Sequence, residues 1–137
     1  MTHENLDIRW KKRFGHYKKA FALLEQAMTI EAPSDAERAG LIQFFEMSFE
    51  LAWMLLKDYL EEEGFSNVVS PRETVKQAFQ AGLIQDGHTW IEALKDRNLT
   101  VHTYEEKIAR AVEQKIRNLY FPVLAKLHSD FSEKASQ

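Results

Sequence analysis

The sequence predicts an all-α fold: an antiparallel up-and-down four-helix bundle with additional short helices, folded as one helical domain over residues 1–137. Three observations carry this. Apolar residues recur at helical spacing through long segments. Capping and stop signals fall between those segments. No segment shows the period-2 alternation of a strand.

The first helix is expected from about Leu6 to Ile30. Trp10, Phe14, Tyr17, Phe21, Leu24 and Met28 fall within an arc of roughly 80° at about 100° per residue, which is a core stripe. Lys11, Lys12, His16, Lys18 and Lys19 fall on the other side. The second helix opens on Ser34-Asp35-Ala36-Glu37, which fits a capping box, and runs to about Glu63, where Gly64 suits a left-handed stop. Leu41, Phe45, Phe49, Ala52, Leu56 and Tyr59 form its central stripe, widened by Phe44, Trp53, Leu55 and Leu60. A helix this broadly apolar must bury two sides, either as the central helix of the bundle or against a second subunit.

Two short helices follow. Ser70-Pro71-Arg72-Glu73 combines an N-cap, a first-turn proline and a capping-box glutamate, and Gly82 marks the stop. The next helix begins near His88 or Thr89 and carries Trp90 and Leu94 to about Arg97. The last long helix is expected from Thr103, where Thr103-Tyr104-Glu105-Glu106 reads as another capping box. Ile108, Val112, Ile116, Leu119, Val123 and Leu127 supply its core stripe, and Pro122 inside that pattern should kink or end it.

Composition narrows the function classes. The chain has 137 residues, so one domain is the default, and 45% apolar content suffices for a core. A net charge of −3 argues against a duplex-DNA binder, although a local basic patch could still touch RNA. The absence of cysteine excludes disulfides and thiolate zinc sites. No secretory pattern opens the chain and no apolar run approaches the roughly 20 residues that cross a bilayer, so a cytoplasmic, membrane-free protein is expected.

Polar chemistry concentrates in one octapeptide, Arg97-Asn98-Leu99-Thr100-Val101-His102-Thr103-Tyr104. A guanidinium suits a phosphate, and an imidazole passes protons near neutral pH. Five residues apart on one unbroken helix, Arg97 and His102 would point about 140° from each other. They cooperate only if a helix junction separates them, which the β-branched Thr100 and Val101 favour, or if a symmetric dimer completes the site. As plain structural residues they would instead cap helices and pair with Asp96, Glu105 or Glu106.

Arg97-x-x-x-x-His102-x-Tyr104, with Asn98 directly after the arginine, resembles the signature of HEPN domains. From about Leu6 to Leu127 the chain resembles the nucleotidyltransferase substrate-binding protein family, small helical proteins typically encoded beside a minimal nucleotidyltransferase. The likeness takes in the aromatic-rich second helix, the stretch from Ser70 to Thr74, and Asn118-Leu119-Tyr120-Phe121-Pro122. The resemblance implies a homodimeric bundle and, for many HEPN domains, a metal-independent endoribonuclease toxin needing no cofactor. By position Arg97 would stabilise charge on the scissile phosphate. His102 would act as general acid or base, and Asn98 would orient it or the phosphate. Tyr104 would be the site of AMPylation by the nucleotidyltransferase. One alternative is a non-catalytic substrate-binding or regulatory subunit of that enzyme; another is a structural interaction module.

The remaining candidates read as structural. Phe14 and Tyr17 belong to the core stripe, so the basic stretch Lys11–Lys19 offers lysines to phosphates but no stacking surface. No Glu-x-x-His element supports a metal site. His3, His16, His88 and His128 are expected at the surface. Trp53 is expected near a dimer interface, and Glu46, Glu50 and Glu61 are expected to be solvated.

Overall fold

The computed structural model describes residues 3–98 and 102–137. Helix α1 spans His3–Met28, α2 Asp35–Glu62, α3 Pro71–Gln80, α4 Gly87–Asn98, α5 Glu106–Lys115 and α6 Phe121–Ala135. A π-helical turn, Ile116–Tyr120, joins α5 to α6 without a break. No strand occurs among the described residues. The up-and-down bundle is thus formed by α1, α2, α4 and the α5–α6 rod, with α3 added between α2 and α4.

The end signals act as chemistry demands. Ser34 caps α2 with a reciprocal box: Glu37 N–H donates to Ser34 Oγ at 3.1 Å, and Ser34 N–H to Glu37 Oε1 at 2.9 Å. Ser70 accepts from Glu73 N–H at 3.2 Å ahead of Pro71. Gly64 and Gly82 stop α2 and α3 with φ of 95° and 75°, where a side chain would be strained.

Helix α2 is the central helix. It touches α1, α3, α4, α5 and α6, and Leu41, Phe45, Phe49, Ala52, Leu56 and Leu60 are buried. Its length and composition alone would let it cross a membrane, but its wide apolar surface covers neighbouring helices. Trp53 is half-buried against the core. Ion pairs set the antiparallel register of α1 against α2: Arg13 Nε donates to Asp58 at 2.9 Å and Arg9 to Glu61 at 2.8 Å. Glu61 is therefore paired rather than merely solvated.

The α5–α6 rod departs from the expected register. Pro122 cannot donate a backbone bond, and its ring would crowd the carbonyl four residues earlier in an α-helix. The π turn before it takes up one extra residue, and Phe121 N–H bonds Ile116 O five residues back. The inward line then runs Val112, Ile116, Tyr120, Leu124, Leu127 and Phe131, all buried. Leu119, expected in the core, is 43% exposed because Tyr120 takes its place.

His128 is also displaced from expectation. It is half-buried, stacked on Phe21 at 4.8 Å between ring centroids and close to Phe14 and Tyr17. Burial lowers its pKa, Glu25 opposes this and Lys18 adds to it. The unfolded chain therefore binds a proton more readily than the folded one. Stability contributed by neutral His128 is present above its ordinary value of 6.5 and declines as pH falls toward the lower folded value. A His128→Gln variant is expected to lose that part of the pH dependence of Tm between about pH 5 and 7, measurable by calorimetry.

Candidate functional site

The octapeptide does straddle a helix junction. Helix α4 ends at Asn98 and α5 begins at Glu106, so Arg97 sits in the last turn of α4 and His102 in the connection. Leu99, Thr100 and Val101 lie outside the described residues. The connection ends in a turn in which Glu105 N–H donates to His102 O at 3.1 Å. Glu105 is the N-cap of α5 with no side-chain cap bond, so the capping box expected from Thr103 does not form and the helix starts three residues later.

Arg97 is held from two sides. Its Nη1 donates to Glu50 of α2, and its Nη2 lies 3.3 Å from Asn98 Oδ1. Glu50, expected to be solvated, is thus the cross-helix partner that Asp96, Glu105 and Glu106 were expected to supply. Glu106 pairs with Arg110 at 2.7 Å instead. Asp96 faces inward, buried, accepting from the Tyr120 hydroxyl and lying 3.2 Å from Lys115 Nζ. Burial, then the adjacent Asp96 carboxylate, pushes the Tyr120 pKa far above the ordinary phenol value, so Tyr120 remains a donor.

These contacts link the π turn to the site. The π turn brings Tyr120 inward, Tyr120 holds Asp96, and Asp96 precedes Arg97. Tyr120→Phe is expected to cost about 1–3 kcal/mol by leaving a buried acceptor underpaired. Amide exchange at Arg97 and Asn98 should rise more than the global destabilisation accounts for.

His102 and Tyr104 are exposed, Tyr104 at 79%, and their ring centroids are 6.3 Å apart at 55°. Thr103 and Tyr104 line a groove of about 240 Å³ together with Arg38, Ala39, Ile42 and Ala109. The structure therefore joins Arg97 with Asn98, and His102 with Tyr104, at opposite ends of one connection. An exposed imidazole and a phenol suit proton transfer and modification; a guanidinium at a helix end suits an anion.

Behind the groove lies a cluster that motif reading missed. Arg38 and Glu113 are buried, with Nε to Oε1 at 2.8 Å. Arg117 bonds the other oxygen of Glu113 at 2.8 Å and also donates to the backbone oxygens of Met28 and Ile30 at 3.0 and 2.8 Å. Burial alone would raise the Glu113 pKa, but the bonds from Arg38 and Arg117 outweigh it and hold the carboxyl below its ordinary value. The available signal was position: Arg38 precedes Leu41 and Ile42 on the core line of α2, and Glu113 lies between Ala109 and Ile116 on that of α5. Among the described residues no group of three His, Cys, Asp or Glu side chains is placed to hold a metal ion.

The family profile described as "Nucleotidyltransferase substrate binding protein like" matches residues 12–133, nearly the whole chain. The chain belongs to this family. This nucleotidyltransferase substrate-binding family member is also similar to a probable ribonuclease HepT of Haemophilus influenzae, 32% identical over 82 residues. That alignment covers 57% of the chain and 56% of the relative, so the match spans little more than half the length of that protein. A crystal structure of a Thermus thermophilus protein superposes with a TM-score of 0.74 at 35% identity. It covers 88% of this chain and 99% of that one, and the two share the all-helical, HEPN-like fold.

Proposed function

We propose that this family member is a metal-independent endoribonuclease that works as a homodimer and is controlled by a minimal nucleotidyltransferase. The observation that carries the reading is the junction itself. It separates Arg97, at the end of α4, from an exposed His102 in the following connection, which an unbroken helix could not do. The similarity to a probable ribonuclease supports the same class.

In this reading the ribose 2′-hydroxyl attacks the adjacent phosphorus as His102 takes its proton. The 5′-oxygen leaves with a proton from a second acid, and the products are a 2′,3′-cyclic phosphate and a 5′-hydroxyl. One chain supplies one such histidine, so the second is that of the partner copy. Arg97 stabilises charge on the phosphate oxygens, and Asn98, already against Arg97, orients it. Tyr104 is the residue that the nucleotidyltransferase adenylylates, which its exposure allows.

A second reading, a non-catalytic substrate-binding subunit, is favoured by one observation: Arg97 is engaged by Glu50. Incubation of unmodified protein with single-stranded RNA in EDTA separates the two. Cyclic-phosphate ends that vanish in Arg97→Ala establish the first, and an inert protein that still binds its nucleotidyltransferase establishes the second. Mass spectrometry after incubation with ATP, magnesium and that enzyme tests Tyr104; an unmodified residue refutes its role.

A further inference from the structure

One stretch of this acidic chain is purely basic. From Ile8 to Lys19 there are six lysines and arginines and no carboxylate. Arg9 and Arg13 are bound to Asp58 and Glu61 of α2. The other four, Lys11, Lys12, Lys18 and Lys19, are exposed. They stand at i−4, i−3, i+3 and i+4 from Gly15, which are all of its nearest neighbours on the helix surface. On the helical wheel two lie about 40–60° to one side of Gly15 and two the same distance to the other. Lys11 and Lys18 lean over the rings of Trp10 and Phe14, at 5.7 and 5.6 Å, which fixes one flank.

Glycine in a helix interior is unfavourable, and packing does not require it here: a Cβ on Gly15 would meet nothing within 4 Å. Gly40 is just as open, but its four neighbours are Ala36, Glu37, Gln43 and Phe44, with no cation among them. Gly15 leaves bare backbone at the floor of a saddle between two rows of lysines, one row drawn toward the Trp10 and Phe14 rings.

We propose that this saddle is a docking site for the phosphodiester backbone of single-stranded RNA, seating a phosphate above Gly15 between the two lysine rows. The aromatic residues of α1 face the core, so the contact is to phosphate and is indifferent to sequence. The proposal rests on the ribonuclease reading for its choice of polyanion. The saddle holds substrate by charge, separately from the residues that cleave it.

The test uses the full-length chain carrying His102→Ala, so that RNA stays intact, and the anisotropy of a labelled 12-nucleotide oligouridine. Contacts to four lysines give a slope of log affinity against log salt of about −3. Gly15→Glu places a carboxylate amid the four ammonium groups. It should keep or raise Tm, because it removes a helix glycine and adds i,i+4 pairs. It should weaken RNA binding more than about tenfold and at least halve the salt slope, whereas Gly40→Ala changes neither. A folded Gly15→Glu protein with unchanged affinity and slope overturns the saddle, as does the absence of RNA binding. Tighter binding to phosphatidylserine vesicles than to RNA overturns the choice of ligand. A wild-type chain that binds RNA through the saddle without cleaving it sinks the ribonuclease reading alone. Cleavage that persists with an inert saddle sinks the saddle alone.

Discussion

Glu113→Ala is expected to destabilise the protein by about 3 kcal/mol, a fall in Tm of roughly 10 °C. The carboxylate neutralises two guanidinium groups: Arg38, whose side chain is 6% exposed, and Arg117, at 19%. Removing it leaves Arg38 with only Asp35, at 3.0 Å, and the Pro33 carbonyl, at 3.2 Å. The loss is set by a buried guanidinium stripped of its buried carboxylate, not by the pair's net worth. Replacing Arg38 and Glu113 together by Met and Leu should therefore cost far less than Glu113→Ala. Calorimetry of the two variants decides it; equal losses would mean that the cluster acts through packing alone.

The same cluster has a pH signature. The folded Glu113 pKa lies below its ordinary value of 4.5, so its stabilisation is complete above that value and is lost as pH falls through the folded pKa. Glu113→Gln should flatten the acid limb of the Tm profile below about pH 5. The His128 effect is separate, at higher pH. Because Arg38 and Ala109 line the groove beside Tyr104, loss of the cluster should also loosen the His102–Glu105 turn.

His102→Ala is expected to lower the rate of RNA cleavage by about 10²–10⁴-fold while leaving Tm unchanged. Positioned acid–base catalysis has that magnitude, and an exposed side chain contributes little to packing. Because the composite site takes one His102 from each copy, a mixed dimer of wild-type and His102→Ala chains keeps a single imidazole and should be about as impaired as the His102→Ala homodimer. Turnover followed by the appearance of cyclic-phosphate ends reads this directly. Undiminished cleavage by His102→Ala protein would remove the imidazole from the mechanism. Arg97→Ala is less clean, since it also releases Glu50 of α2.

The local grammar of the chain is legible from its residues alone. Ser34, Glu37, Gly64, Ser70 and Gly82 act within three or four residues of themselves, so neighbouring residues suffice to read them. The stripes of α1 and α2 are equally readable, because an unbroken helix carries its period from end to end. Reading fails where that period changes. Counting in helical steps puts Leu119 in the core, and the π turn ahead of Pro122 moves Tyr120 there instead. The cap expected at Thr103 fails because the chain stays in a turn through Glu105 and enters α5 only at Glu106.

Charge pairing is legible only in part. Pairs such as Glu106–Arg110 lie four residues apart and follow from spacing. Arg97–Glu50 and Arg38–Glu113 join residues 47 and 75 positions apart. No local rule selects those partners; they follow from which helix faces meet. The sequence by itself determined the helical class, the helix ends that carry their own caps, the breadth of the apolar face of α2, and the break between Arg97 and His102. Only the tertiary structure decided that Glu50 holds Arg97, that Tyr120 anchors the end of α4 through Asp96, and that His128 lies among aromatic rings. The reason is range: caps and stripes are set within a turn or two of helix, whereas a buried charge or a stacked ring depends on what the rest of the chain brings within a few ångströms.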